Sequence, residues 1–177
     1  MRYALCKTAV CLVVAVSFVV TVFGGIVGTA QAAPVTAKKA QATGSQSARQ
    51  IKAAEQRAFE LLNADRRANG LPKLKLNGVL VVLAENYGKD MIKRNYFSHY
   101  NPEGQSPFDR MRGYGISYRY AGENLAVNNS VEGAQRALMN SPGHRANILN
   151  SHYTEVGIGV SYDSRGAVYV VQEFIGR

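Results

Sequence analysis

Three fragments of the chain carry the side chains best suited to chemistry: "FSHYNPEGQSPFDR" at residues 97–110, "AGENLA" at 121–126 and "NSPGHRANILNSHYTEVGIG" at 140–159. Each sets one titratable residue among glycines or prolines, giving His99, Glu123 and His144. Two neutral imidazoles can ligate a divalent metal, and a carboxylate beside them can ligate, orient a histidine or act as a base. Imidazole also titrates at about pKa 6.5, so the same trio could move protons near neutrality. Spacing alone does not join them, because 23 residues separate His99 from Glu123 and 20 separate Glu123 from His144. Only the fold can gather them.

Plainer roles are available to each residue. His99 can cap the preceding helix, Glu123 can accept backbone N–H groups or pair with Arg110 or Arg145, and His144 can bond backbone in the Pro-Gly turn. Asn124, Asn147 and Asn150 suit turns and backbone satisfaction. Tyr96, Tyr100, Tyr114, Tyr118 and Tyr120 read as half-buried packing residues, and His152 as surface loop. Asn128-Asn129-Ser130 fits a glycosylation sequon, a weak signal by itself. The chain has no His-Glu-x-x-His, no Gly-x-Ser-x-Gly, no phosphate loop and no dinucleotide glycine pattern.

The elements that must position these residues follow from periodicity. Ile51, Ala54, Ala58, Phe59 and Leu62 recur at helical steps, and Asn69-Gly70 closes that helix. Asn77 is the expected N-cap of a second helix with an apolar set of Leu80, Leu83, Ala84, Tyr87 and Met91. Lys93 and Arg94 suit its C-terminal dipole. Ser106, Pro107 and Asp109 begin a short third helix that ends at Gly113 or Gly115. Strand-like composition surrounds Tyr118–Tyr120 and Leu125–Val127, and Ser130 caps a further helix. "EVGIGVSYD" and "AVYVVQEF" form a terminal hairpin across the "DSRG" turn. The expected fold class is α+β.

Residues 1–32 have the basic start, the apolar run and the Ala30/Ala32 small-residue site of a secretory signal peptide, with cleavage before Ala33. An uncut N-terminal anchor is the alternative, since the run approaches the roughly 18–20 residues that span a bilayer. Cys6 and Cys11 both lie in this segment, so the remaining domain has neither a disulfide nor a thiol site. Residues 33–48, small and polar, read as a flexible linker, and 49–177 as one domain. Taking Arg2 and Lys7 from the 21 basic residues leaves 19 against 12 acidic ones, a balance of +7. That balance allows loose attraction to anionic envelope polymers. The basic residues are scattered and no nucleic-acid motif is present, so no nucleic-acid partner is expected.

Taken together and in order, the three fragments resemble the CAP superfamily, also called SCP-like or cysteine-rich secretory, antigen 5 and pathogenesis-related 1 proteins, and in particular its bacterial extracellular branch. The likeness covers about residues 51–177, with "YVVQEF" fitting the family's last strand. It implies an α-β-α sandwich with a small central antiparallel sheet between helical layers, and an open cleft holding two histidines and two acids. His99, Glu123 and His144 match three members of that tetrad, with the Pro-Gly turn aiming His144 while Ile148 and Leu149 anchor its helical turn. Ser141 stands where the second acid is expected, and Leu138 replaces a common tryptophan.

A secreted or envelope-associated, monomeric protein is expected, without stable membrane insertion after signal cleavage. One expected function is a binding or interaction module whose cleft takes a peptide, lipid, wall fragment or other small ligand. Zinc or calcium is the ion such a cleft could hold, with His99, His144 and Glu123 as metal ligands. Asn124, Ser141, Arg145 and Asn147 would support the site. The alternative is a metal-assisted hydrolase, a peptidase, in which His99 and His144 hold the ion and Glu123 activates its water.

Overall fold

The computed structural model describes the backbone of residues 35–177 and the side chains from residue 47 onward. The apolar N-terminal run expected as a signal peptide lies outside these residues. Among the described residues, no helix is long and apolar enough to cross a membrane.

Helix α1 spans Val35–Ala68 and therefore takes in residues 35–48, where a linker is expected from composition. Alanine, lysine and glutamine are good helix formers, so this stretch can be helical without an apolar stripe of its own. The packed part of α1 is the one periodicity marks: Ala58 and Leu62 are fully buried. The helix stops where Gly70 turns to φ +75 and the Leu71 amide closes on the Arg66 carbonyl at 3.0 Å.

The strand β1 (Lys75–Leu76) follows, and then α2 (Gly78–Arg94), whose cap is Asn77. The Asn77 side chain accepts from the amides of Val79 at 3.0 Å and Leu80 at 3.1 Å. Helix α3 (Pro107–Gly113) starts with a capping box between Ser106 and Asp109. Strand β2 (Tyr120–Asn128), α4 (Val131–Asn140), α5 (Pro142–Ile148), β3 (Glu155–Tyr162) and β4 (Val168–Gly176) complete the domain. Ser130 caps α4, accepting from Gly133 N at 3.0 Å.

The four strands lie in the order β1-β3-β4-β2. β4 pairs antiparallel with both β3 and β2, while β1 runs parallel to β3. The sheet is therefore mixed rather than purely antiparallel; the difference is the two-residue β1, too short to show a period in sequence. Alternation along the strands divides the core between two faces. Val156, Ile158, Val160, Val168, Val170 and Phe174 pack with Ala58, Leu62, Ala134, Leu138 and Ile148 of α1, α4 and α5. Val171, Leu125 and Ile175 pack with Ala84, Tyr87, Met91, Leu80 and Met111 of α2 and α3. This is the expected α-β-α arrangement.

Two glycines of β3 set how closely α2 approaches. A Cβ on Gly157 would collide with the Leu80 carbonyl carbon, and one on Gly159 with that of Ala84. The helix backbone thus rests directly on the strand. Across the sheet, the buried Arg66 of α1 donates through Nη1 to the carbonyls of Ile148 at 2.8 Å and Asn150 at 2.9 Å, and through Nε to Pro72 O at 2.9 Å. It fixes the end of α5, the helix that carries His144.

Candidate functional site

β2 is the outer strand of the sheet; it carries Glu123, which His99 reaches from the α2–α3 loop, and it is tied through Asn124 to the backbone of His144. Glu123 points to the α2/α3 side, and its neighbour Asn124 points to the α4/α5 side. The loop between α2 and α3 brings His99 to within 2.6 Å of Glu123, Nδ1 to Oε1. A carboxylate can only accept, so Nδ1–H is the donor and Nε2 is left as the ring's spare nitrogen. The Glu123 side chain is only 1% exposed, whereas that of His99 is 46% exposed.

The second Glu123 oxygen is taken by Arg110 of α3, whose Nη2 lies 2.5 Å from Oε2. Arg110 is placed by three further contacts and by its helix. Its Nη1 donates to the carbonyls of His99 at 2.9 Å and Gln105 at 3.0 Å, its guanidinium covers the Tyr87 ring at 3.4 Å, and α3 itself is fixed by the Ser106 cap. Tyr87 in turn donates its hydroxyl to Ser98 O at 2.6 Å, holding the loop next to His99. Pairing of Glu123 with Arg110 is thus one of the plain roles open to it in sequence, and it occurs together with the His99 contact. Arg145 takes no part in that pairing, because its Nη2 donates to Asn69 Oδ1 at 3.1 Å.

A second acid stands beneath the first. Glu173 of β4 is the register partner of Glu123, is fully buried, and makes no hydrogen bond through either carboxyl oxygen. Burial pushes its pKa well above the ordinary 4.5, the Glu123 charge adds to this, and Arg110 opposes it. Sequence reasoning missed this residue. In "YVVQEF" it occupies an alternating hairpin position that would face water if no helix covered that side.

On the other side of β2, Asn124 donates to the His144 carbonyl at 3.0 Å and to Gln172 Oε1 at 3.1 Å. Asn147, one helical turn after His144, donates to Glu123 O at 3.2 Å and Asn124 Oδ1 at 2.9 Å. The relay runs on through Gln135, which accepts from Gln172 at 2.9 Å and donates to Asp65 at 2.7 Å. These amides bind α5 to the strand and leave few orphaned polar groups in the core. His144 meets Ser141 Oγ through Nδ1 at 2.9 Å, so the serine at the missing-acid position contacts an imidazole of the site. The pKa of His144 is lowered, first by burial and then by the charge of His99. Ile148 is fully buried and Leu149 packs on the core, anchoring this turn.

His152 lies on the surface and stacks on Tyr120, ring centroids 4.2 Å apart. Tyr96 and Tyr118 are half-buried as expected, but Tyr100, Tyr114 and Tyr120 are exposed, because the α2–α3 and α3–β2 connections carry no covering element.

As a metal site the donor set is incomplete. Among the described residues, no three His, Cys, Asp or Glu side chains converge as ligands. Both Glu123 oxygens are already engaged, which leaves the spare imidazole nitrogens of His99 and His144 as the available donors.

The family described as cysteine-rich secretory protein, CAP, matches residues 59–174. The Bacillus subtilis protein YkwD is 42% identical over 150 residues, covering 84% of this chain and 57% of its own length. The membrane protein YlbC of the same organism is 37% identical over 125 residues, or 70% of this chain and 34% of that one. An extracellular protein containing an SCP domain from Bacillus anthracis superposes with a TM-score of 0.66 at 32% identity, covering 72% of this chain and 41% of that one. An outer surface protein from Borrelia burgdorferi shares the fold, with a TM-score of 0.67 at 20% identity over 72% of this chain and 95% of its own. The chain spans little more than half of YkwD and about a third of YlbC. With the family match and the three motifs in one domain, the chain belongs to the cysteine-rich secretory protein (CAP) family.

Proposed function

We propose that the chain is an exported recognition module of the cell envelope, acting as a monomer, whose surface around His99, Glu123 and His144 takes a small ligand: a peptide, a lipid or a wall fragment. The observation that carries this reading is the double engagement of Glu123 by Arg110 and His99. Metal-assisted hydrolysis needs a carboxylate able to take a proton from the attacking water. Here the carboxylate is buried and spent on orienting its neighbours, so it serves as an organiser. What the site offers outward is the half-exposed His99 ring and the partly exposed His144, each with a spare hydrogen-bonding nitrogen. Export is supported by the apolar N-terminal run with its Ala-Gln-Ala end, and by similarity to an extracellular protein and to an outer surface protein.

The spare imidazole nitrogens suit zinc better than calcium, a hard cation that prefers oxygen ligands. His99 and His144 would hold the ion and Glu123 would keep the His99 ring oriented; bound there, zinc supplies a Lewis-acidic anchor for an oxygen of the ligand. Calorimetric titration of the protein with zinc at pH 7.5 and pH 5 tests this. Binding at pH 7.5 that weakens at least about tenfold at pH 5, as the imidazoles protonate, and disappears in His99→Ala/His144→Ala, is expected. If the double variant binds zinc as the parent does, the site is excluded.

A further inference from the structure

A cavity of about 330 Å³ opens between α2 and α3. It shares Arg110 and Tyr87 with the His99/Glu123 site but includes none of His99, Glu123 and His144. Its size falls within the roughly 300–1,000 Å³ of small-molecule sites. We infer that this cavity is a second binding site, built for an uncharged, polyhydroxylated ligand: a pyranose unit of a glycan.

The lining defines the class. Leu83 and Tyr87 give an apolar floor, and Tyr114, 41% exposed, stands at the edge as an aromatic plate. Around them, Asn86, Asp90 and Gln105 contribute planar groups with capacity to spare. Asn86 spends its Nδ2 on the Tyr114 hydroxyl at 2.8 Å and has no partner at Oδ1. The Tyr114 hydroxyl accepts that bond and keeps its own proton to donate. Asp90 Oδ2 accepts from Tyr96 at 2.6 Å, and its other oxygen makes no hydrogen bond. Gln105 uses Oε1 on Asn101 at 2.8 Å and retains Nε2. Donors and acceptors thus alternate around an aromatic face. A pyranose matches this, with hydroxyls on its rim that both donate and accept and a C–H face that packs on a ring.

The charges argue for a neutral occupant. Arg94 is bound in a fork by Glu103, at 2.6 and 2.8 Å, and Arg110 is committed to Glu123. Arg94 also lies 3.5 Å from Asp90, so each guanidinium is paired with a carboxylate, and with Asp90 and Asp109 in the lining the cavity offers an anion no net positive charge.

Arg110 also joins this cavity to the first site, so occupancy should be felt at His99 through the Nη1 contact to its carbonyl. The test uses the whole exported domain with a β-1,4-linked N-acetylglucosamine tetramer and, separately, maltotetraose. Both are titrated by calorimetry and by histidine-detected NMR. At least one tetramer is expected to bind and to shift the His99 resonances. Asn86→Ala/Tyr114→Ala, at two exposed positions, should weaken binding at least about tenfold with an unchanged melting temperature. His99→Ala/His144→Ala should bind the sugar as the parent does, although its zinc binding is gone. The inference is overturned if neither tetramer binds. It is equally overturned if Asn86→Ala/Tyr114→Ala binds as the parent does, or if the double histidine variant loses sugar binding. Failure of zinc binding alone would count against the first site and leave this one standing.

Discussion

Glu173 stands directly across the β2–β4 ladder from Glu123, with neither of its carboxyl oxygens hydrogen bonded. The pair restores two acids to a site in which sequence finds only one, but from the last strand instead of the helix before His144. Its depth changes its role. A fully buried carboxyl group cannot reach a ligand; it forms part of the floor beneath Glu123 and Arg110.

Because burial, and then the Glu123 charge, raise the Glu173 pKa, the native chain keeps a proton there that the unfolded chain loses above about pH 4.5. The sign follows from linkage: stability from this group is complete below the unfolded pKa and declines as pH rises toward the raised native value. Glu173→Gln, a neutral near-isostere, removes that decline. It is expected to melt several degrees above the parent at pH 7.5, since about 1 kcal/mol moves a domain of this size by roughly 2–8 °C. At pH 4 the two should melt alike. Melting followed by circular dichroism at both pH values decides the matter, and an equal displacement at each would contradict a titrating Glu173.

Arg110 is the cation that makes Glu123 tolerable in the core. Arg110→Met would leave that carboxylate buried with only His99 to face it, and would also free the His99 and Gln105 carbonyls. Breaking one side of a buried pair typically costs about 3–5 kcal/mol, and urea unfolding should show a loss of that size. Arg110→Met/Glu123→Gln should lose clearly less than the sum of its two single variants. Strict additivity would mean that the two residues stabilise the fold independently.

How much of this was legible in the sequence depends on what each residue answers to. The caps at Asn77, Ser106 and Ser130, the Gly70 stop and the β3–β4 hairpin are local, set within a few residues, and the chain spells them out. His99, Glu123 and His144 emerged as a group because their motifs follow a family order; their spacing had no power to join them. Glu173 and the covering role of α2 were hidden because they depend on tertiary contact. Nothing in "YVVQEF" says that a helix lies over the glutamate, whereas the glycines at 157 and 159 show it only once α2 is in place. Arg145 fails for the same reason in reverse: it sits beside His144 in sequence, yet the helical turn directs it to Asn69.

The glycines of β3 give the most direct check on that packing. Gly159→Ala places a methyl group against the Ala84–Glu85 backbone of α2, which has no flexible side chain to yield. The helix must lift from the sheet, and overpacking of this kind costs about 1–3 kcal/mol or more. Since α2 also carries Tyr87, the shift should reach His99 and appear in its NMR resonances. Gly143→Ala is the control: nothing lies within 4 Å of the added carbon, and the position is helical. Alanine is the better helix former, so that variant should be neutral or more stable by roughly a few tenths of a kcal/mol. Comparable losses from both would show that chain flexibility, and not the contact between α2 and β3, accounts for glycine at position 159.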